Sequence, residues 1–211
     1  LGAKIADRPV PGAGSECRMR EGMSKVSMII VAAPSGAGKS SFVERVTREM
    51  PILVDTVTYT TRGMRAGESE GHPYHFVSHD RFEELIKQNF FVEWARVHTN
   101  LYGTPLNQLE DAWAAGRVVI MDIDVQGAAT FKKKYPDCAT VFILPPSIDE
   151  LRRRVIKRDG GAPKDLDIRM QNALREIAEA DRFDHRLVND DFERSYAEFK
   201  SLVARLTGSS T

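Results

Sequence analysis

The sequence predicts an α/β fold with a central parallel sheet. Three apolar runs are continuous rather than alternating, which is typical of strands covered by helices on both faces: residues 28–33, 118–123 and 139–144. Segments with helical spacing lie between and after these runs, and strands that alternate with helices indicate a parallel sheet. The chain has 211 residues, 42% of them hydrophobic, which suits one such domain with a small insertion or two small domains.

The helices are predicted from apolar spacing and from residues that favour helix ends. They are expected at residues 40–50, 80–90, 105–115, 125–134, 147–158, 166–180 and 191–206. In the third of these, Thr104 is expected as the N-cap and Pro105 as the first helical residue. In the last, Phe192, Tyr196 and Phe199 fall on one face, which is the pattern of a helix packed on a core.

Residues 55–103 differ from the rest of the chain, because short strand-like pieces at 56–60, 74–78 and 91–98 surround a single helix. We interpret this segment as an inserted α+β subdomain between two parts of the core, residues 23–54 and 104–206. A break rich in Gly, Pro and charge at 159–165 predicts a flexible link between two helices. Residues 1–22 are expected to be a disordered tail or an upstream extension, and residues 207–211 a short tail.

Charge and cysteine content argue against several classes of protein. The chain has 30 Lys and Arg against 30 Asp and Glu, and zero net charge disfavours a nucleic-acid partner held by bulk phosphate neutralisation. Cys17 and Cys138 are too few for a disulfide framework, which favours a reducing cytoplasm. The apolar runs are too short for a bilayer, so no membrane partner is expected. His72, His75 and His79 lack the carboxylate or cysteine that a zinc site needs. Monomer and homo-oligomer both remain open.

A phosphate-binding loop is the strongest motif in the sequence. Residues 33–40 read Ala-Pro-Ser-Gly-Ala-Gly-Lys-Ser between a buried strand and a helix. Gly36 and Gly38 let successive backbone N–H groups point at phosphate oxygens, and the helix N-terminus adds its dipole. Lys39 supplies a charge for the β and γ phosphates, and the Ser40 hydroxyl can ligate Mg²⁺. The alternative is a glycine-rich turn that binds nothing.

Two carboxylates follow the second apolar strand. Asp122 and Asp124 lie where the strand ends, and strand C-termini face the ligand crevice of a doubly wound sheet. A carboxylate in this place commonly holds Mg²⁺ or its water. The alternative is an aspartate that only caps the next helix.

The inserted segment holds a second set of candidate binding residues. Arg62 and Arg65 lie three apart in a glycine-containing loop, with Tyr74 further on, and arginine forks suit phosphate. By strand alternation, Glu93 shares an apolar face with Phe91, where a carboxylate is costly unless it is paired. Guanine offers two adjacent N–H donors to such a carboxylate, and adenine does not. The alternatives are a solvated basic loop and a Glu93 paired with a neighbouring arginine.

Together these motifs resemble the guanylate kinase family, in order and with family spacing, from about residue 23 to about residue 206. The carrying segments are Pro34 to Lys39, Thr60 to Arg62, Arg65 to Glu68, Tyr74 to Phe76, Glu93 to Ala95, Asn100 to Thr104, Asp122 to Gly127, Pro145 with Pro146, and Val188 to Asp191. The chain departs from the family pattern at four positions: Ala33 and Asp159 stand where Gly is usual, Thr58 where Ser is common, and Leu101 where Tyr is common.

The resemblance implies a three-layer P-loop kinase fold with a GMP-binding subdomain at 55–103 and a small helical lid at 152–169. It implies transfer of the γ-phosphoryl group of ATP to GMP with Mg²⁺ as cofactor. The implied GMP-binding residues are Thr58, Arg62, Arg65, Tyr74, Glu93, Tyr102, Thr104 and Asp124. The implied ATP-binding residues are Ala33, Pro34, Ser35, Gly36, Ala37, Gly38, Lys39, Ser40, Ser41 and Asn189, and Asp190 would lie beside the last of these. The implied metal ligands are Ser40 and Asp122, and the implied catalytic residues are Lys39, Arg62, Arg154, Arg158 and Arg169.

Two other functions stay open at this point. Guanylate-kinase-like domains exist that bind proteins without catalysis, but they typically lose the P-loop lysine or the lid arginines, which this chain has. A related kinase acting on a phosphorylated sugar would have no need of Glu93 or of hydroxyl groups that read guanine.

Overall fold

The computed structural model describes residues 4–5, 26–65, 67–97 and 99–209. The chain divides into two compact units. The core unit comprises Ser24–Asp55 and Arg117–Thr211. The insertion unit comprises Thr56–Gly116 together with Leu1–Met23, of which Lys4–Ile5 are described. Apart from Lys4–Ile5, residues 1–22 lie outside the described residues, and so does Cys17. The expected disorder of this segment stays a prediction.

The described elements are as follows in chain order. The strands are β1 (Lys4–Ile5), β2 (Met28–Ala32), β3 (Leu53–Asp55), β4 (Thr58–Thr60), β5 (Tyr74–Phe76), β6 (Phe91–Val97), β7 (Asn100–Pro105), β8 (Val118–Asp122), β9 (Ala139–Leu144) and β10 (His185–Val188). The helices are α1 (Lys39–Glu49), α2 (His79–Lys87), α3 (Leu106–Ala114), α4 (Val125–Lys134), α5 (Ile148–Arg158), α6 (Leu166–Ala178) and α7 (Phe192–Thr207), with a 3-10 turn at Ala180–Arg182.

The core unit is built on a parallel sheet with the strand order β10-β9-β2-β8-β3. The central strand β2 is buried along its whole length, as its continuous apolar run predicts. The predicted α/β fold with a central parallel sheet and flanking helices is therefore confirmed. The edge strands β3 and β10 were not predicted, because each is short and only partly apolar.

Helix α1, which follows the phosphate loop, packs against α7 through aromatic contacts. The Phe42 ring meets the rings of Phe192 and Phe199 edge-on, with centroids 5.1 and 5.3 Å apart. The Arg45 guanidinium stacks on the Tyr196 ring at 4.1 Å and donates to Glu193 on α7. Aromatic pairs of this geometry add about 1 kcal/mol beyond area burial, so the two helices are firmly joined.

The insertion unit has a five-stranded mixed sheet in the order β1-β6-β7-β4-β5. Strands β6 and β7 form an antiparallel hairpin, and β4 and β5 are parallel. The buried rings of Phe82 on α2 and Phe91 on β6 stack with centroids 4.5 Å apart. Gly103 on β7 faces both rings, where a Cβ atom would lie 2.8 to 2.9 Å from their carbons.

Two details of the insertion unit differ from the prediction. Helix α3 begins at Leu106, and Pro105 is its N-cap in extended conformation rather than its first residue. Thr104 is therefore not the N-cap, because Pro105 still pairs with Phe91 across β6 and β7. A register shift between Phe91 and Glu93 also interrupts the expected alternation, and both residues are buried together with Val92.

Candidate functional site

The phosphate loop of the core unit runs from the end of β2 to the start of α1. Gly36 and Gly38 have φ angles of +94° and +98°, a region that favours glycine. A Cβ atom on Gly36 would lie 2.8 Å from the Val155 side chain on α5, and one on Gly38 would lie 2.8 Å from Asn189 Nδ2. Ala33 is buried in the core cluster, so the methyl group at this position has a packing place. The loop is therefore held tightly from two sides.

The N-terminus of α1 has no side-chain cap. Its N-cap, Gly38, provides no side-chain acceptor, and its first turn contains no acidic residue. The free backbone N–H groups and the positive end of the helix dipole therefore favour a bound anion such as phosphate.

Lys39 and Ser40 converge on the end of strand β8. The Lys39 ammonium donates to the carbonyl of Ile123 at 3.3 Å and lies 3.6 Å from Asp122 Oδ2. The Ser40 hydroxyl donates to the same carboxylate oxygen at 2.6 Å. A hydroxyl and a carboxylate are the hard oxygen ligands that Mg²⁺ prefers, so these two side chains fit the ion. Among the described residues, no group of three or more His, Cys, Asp or Glu side chains is placed to hold a metal.

Asp124 acts as the N-cap of α4, because its carboxylate accepts the backbone N–H of Gly127 at 2.7 Å. Capping is thus part of the role of Asp124, and its contact with guanine stays a prediction.

Sequence reasoning did not single out Glu176 on α6, a carboxyl whose pKa is affected by the predicted site residues Asp124 and Lys39. Burial raises the pKa of its carboxyl, nearby Asp124 raises it further, and Lys39 lowers it. Its place in the amphipathic pattern of α6, two turns after Arg169, is the signal that could have found it.

The three predicted lid arginines all pair with carboxylates of the core unit. Arg154 Nε donates to Glu150 at 2.9 Å, one turn earlier on α5. Arg158 and Arg169 meet at Asp159, the residue that follows α5. These partners were not predicted, since the sequence shows the arginines but not the fold of the α5–α6 turn.

Asn189 connects the end of β10 to the phosphate loop. Its side chain is 4% exposed, and its Nδ2 donates to the carbonyl of Ala37 at 2.8 Å. Its backbone N–H donates to the carbonyl of Leu144 at 2.8 Å. In the described part of the chain, its buried Oδ1 has no hydrogen-bond partner, and an acceptor in this state suits a ligand amino group.

In the insertion unit, Arg62 lies among aromatic rings and one carboxylate. Its guanidinium forms two bonds with Glu68, of 2.7 and 3.0 Å. It lies 5.4 Å from the Tyr74 ring centroid, and the rings of Tyr74 and Tyr102 meet edge-on at 5.8 Å. Glu68 also accepts the backbone N–H of Arg65 at 2.7 Å. Three of the predicted phosphate ligands thus form one cluster, and the bonds between Glu68 and Arg62 were not predicted from the sequence.

The predicted guanine-reading pair is also in contact. Glu93 on β6 and Thr104 on β7 are register partners, 9% and 2% exposed, and the Thr104 hydroxyl lies 3.5 Å from Glu93 Oε1. Thr58 lies on β4 opposite Tyr74 on β5. A carboxylate and a hydroxyl held together in a buried place can accept and exchange hydrogen bonds with a polar ring edge.

Comparison with known proteins gives a consistent result. A family model described as guanylate kinase matches residues 25–206. A guanylate kinase of Bdellovibrio bacteriovorus is 63% identical over 182 residues, covering 86% of this chain and 98% of that protein. A guanylate kinase of Syntrophotalea carbinolica is 42% identical over 176 residues, covering 83% and 84%. The crystal structure of guanylate kinase from Anaplasma phagocytophilum superposes with a TM-score of 0.72 at 28% identity, covering 89% of each chain.

Proposed function

The chain belongs to the guanylate kinase family, and on this premise we propose that it transfers the γ-phosphoryl group of ATP to GMP, giving ADP and GDP. The observation that carries this proposal is the buried pair Glu93 and Thr104. A phosphate loop is common to many kinases, whereas a buried carboxylate beside a hydroxyl can accept the two adjacent N–H donors that distinguish guanine from adenine.

ATP would bind on the phosphate loop of the core unit, with its phosphates on the loop N–H groups, Lys39 and the N-terminus of α1. Pro34, Ser35, Ala37 and Ser41 would complete the loop contacts. Asn189 is proposed at the adenine end, since the buried Oδ1 could accept the adenine amino group. Mg²⁺ would be held by Ser40 and Asp122, and it would neutralise charge on the β and γ phosphates.

GMP would bind in the insertion unit. Glu93 would accept N1–H and the exocyclic amine of guanine, with Thr104 and Thr58 beside them. Arg62, Tyr74 and Tyr102 already form a cluster that could bind the GMP phosphate, and the exposed Arg65 would add a second guanidinium. Glu68 engages both Nη atoms of Arg62, so the GMP phosphate would compete with this carboxylate for the outer edge of the guanidinium.

The reaction needs little chemistry from the protein. A phosphate oxygen of GMP attacks the γ-phosphorus, the bond to the β–γ bridging oxygen breaks, and ADP leaves with that electron pair. The GMP phosphate is largely dianionic at neutral pH, so no strong general base is required. Lys39, Arg62 and the arginines of the proposed lid, residues 152–169, would position the groups and neutralise charge in the transition state.

We also propose a reducing compartment such as the cytoplasm. Cys138 supports this as a free, buried thiol, and burial raises its pKa to about 11. Among the residues that the structure describes, no helix combines the length and the apolar character needed to cross a membrane.

The test is a coupled assay of ADP release with ATP, Mg²⁺ and one acceptor at a time: GMP, AMP, UMP, dTMP or a sugar phosphate. We expect turnover with GMP and little with the others. ATP binding without turnover of any acceptor would favour a non-catalytic binding module. Preference for the sugar phosphate would favour the related sugar-phosphate kinase. Either result would overturn the proposal.

A further inference from the structure

A single carboxylate joins two arginines at the turn between α5 and α6. Asp159 Oδ1 accepts from Arg158 Nε at 2.7 Å, and Asp159 Oδ2 accepts from Arg169 Nη1 at 2.8 Å. We propose that Asp159 is a positioning residue that holds Arg158 and Arg169 as a pair oriented for the phosphates of ATP. This inference rests on the proposed function, because it takes both arginines as phosphate ligands.

The backbone fixes the place of Asp159. It is the C-cap of α5, and its N–H donates to the carbonyl of Val155 at 3.0 Å. Gly160 follows with φ of +70°, and the N–H groups of Gly160 and Gly161 return to the carbonyls of Lys157 and Ile156. These two bonds form a Schellman motif, a rigid helix ending. The carboxylate therefore projects from a defined point rather than from a free loop.

Helix stability does not explain an aspartate at this position. The C-terminal end of a helix carries partial negative charge, and an acidic side chain there is unfavourable by several tenths of a kcal/mol. Asp165, by contrast, lies at the N-terminus of α6, where negative charge is favourable, and its bond to Arg169 Nε is an ordinary pair one turn apart. Asp159 is thus the carboxylate whose position is explained by the two arginines.

The bonding pattern leaves the arginines able to bind a ligand. In the described part of the chain, Arg158 engages Asp159 through Nε, so the donors on both of its Nη atoms remain. Arg169 uses Nε for Asp165 and Nη1 for Asp159, which leaves its Nη2 donors. A carboxylate that occupied the outer edge of both guanidinium groups would block phosphate. Arg158 is held at Nε, on the side of its guanidinium, and Arg169 is held at Nε and Nη1, so the remaining Nη donors of each arginine can reach a phosphate.

Charge balance supports the same role. Two guanidinium groups held near each other repel, and a shared carboxylate offsets this repulsion before any nucleotide arrives. The hydrogen bond from Arg158 lowers the pKa of the Asp159 carboxyl, so this group stays ionised at neutral pH. Its side chain is 25% exposed, which lessens screening by water relative to an open surface pair.

The test compares Asp159→Asn with a matched control, Asp167→Asn. Asp167 is also in the lid segment and also pairs with an arginine, Arg152 at 2.9 Å, but that arginine has no proposed catalytic role. For both variants and the parent, kcat and KM are measured for ATP and GMP, with thermal midpoints. We expect Asp159→Asn to lower kcat about tenfold with the KM for GMP unchanged, because misplaced arginines weaken transition-state binding. Asp167→Asn should match the parent.

A double-variant cycle tests whether the effect passes through an arginine. In an Arg169→Lys background, which keeps the charge, Asp159→Asn should lower kcat much less than it does in the parent, because the two residues act together. Equal factors in both backgrounds would overturn the inference. So would a lower KM for ATP in Asp159→Asn, since the carboxylate would then be a competitor of the phosphates.

A lower thermal midpoint with unchanged kcat would also overturn it, because Asp159 would then be a structural residue only. The parent measurement separates these outcomes from the proposed function. If the parent does not phosphorylate GMP, the proposed function fails whatever the variants do. If the parent does so and Asp159→Asn equals it in kcat, the positioning role alone fails.

Discussion

Replacing Glu93 with Gln should remove the ability to distinguish guanine from hypoxanthine. Glu93 is buried beside Thr104, so a ligand there meets the carboxylate without competing water. Guanine would donate two N–H groups to two carboxylate oxygens. In Glu93→Gln one oxygen becomes an amide NH₂, which faces the exocyclic amine of GMP donor to donor.

The expected loss follows from the bonds involved. A hydrogen bond to a charged group contributes about 1.5–3 kcal/mol, and a donor left facing a donor adds a further cost. A total of about 2–4 kcal/mol corresponds to a fall in kcat/KM for GMP of about 30-fold to 1,000-fold. IMP lacks the exocyclic amine and keeps N1–H, so its kcat/KM should fall much less.

The assay is coupled ADP release with GMP and IMP as acceptors, for the parent, Glu93→Gln and the control Glu84→Gln. Glu84 is an exposed carboxylate on α2 that pairs with Arg81, so its substitution should leave both acceptors unaffected. An unchanged ratio of GMP to IMP in a folded Glu93→Gln protein would refute the base-reading role.

Three further predictions concern catalysis, packing and pH. Lys39→Ala should lower turnover by at least about a hundredfold at an unchanged thermal midpoint, because the positive charge that would stabilise the phosphates in the transition state is lost. A fully active variant would contradict the phosphate-loop assignment. Gly103→Ala should lower the free energy of unfolding in urea titrations by about 1–3 kcal/mol, because its methyl group would meet the Phe91 ring at 2.8 Å, and an unchanged value would show that the rings can move apart. Hydrogen bonds, of which the one from Lys200 has the largest effect, lower the pKa of the Glu49 carboxyl from 4.5 to about 2. The stability that this carboxylate contributes is therefore present above pH 4.5 and is lost as pH falls toward 2. Thermal midpoints of Glu49→Gln should therefore fall less steeply over this range than those of the parent, and parallel curves would exclude Glu49 as a source of acid lability.

The core strands could be predicted because a strand that is buried on both faces is apolar at successive positions, and such a run is visible in the sequence. Strand β2 is apolar at every position, and the loop after it needs glycine where φ is positive. Strand β7 has no such trace, since Asn100, Gly103 and Pro105 are poor strand formers. It forms because the hairpin with β6 satisfies its backbone and because Gly103 admits two aromatic rings.

The candidate site shows the same division. Residue types at fixed spacing predict Lys39 and Ser40 as phosphate and metal ligands, and the family resemblance predicts Glu93 as the residue that reads guanine. The partners of the arginines could not be predicted in this way. Glu68 ends a family segment and Asp159 stands where Gly is usual, but nothing in the sequence pairs either carboxylate with an arginine. Only the folded turns bring them to Arg62 and Arg169.

The place where the chain leaves the core unit has a consequence for protein engineering. The chain departs after Asp55 and returns at Arg117, and the strands on either side, β3 and β8, are paired neighbours with Leu53 opposite Val118. Arg117 Nη2 closes this junction by donating to the carbonyl of Leu53 at 2.7 Å. Because the two ends are already adjacent, the entropy of closing the intervening segment depends only weakly on its length. We therefore expect that residues 56–116 can be replaced by a related segment or by a short linker while the parallel sheet of the core unit stays intact.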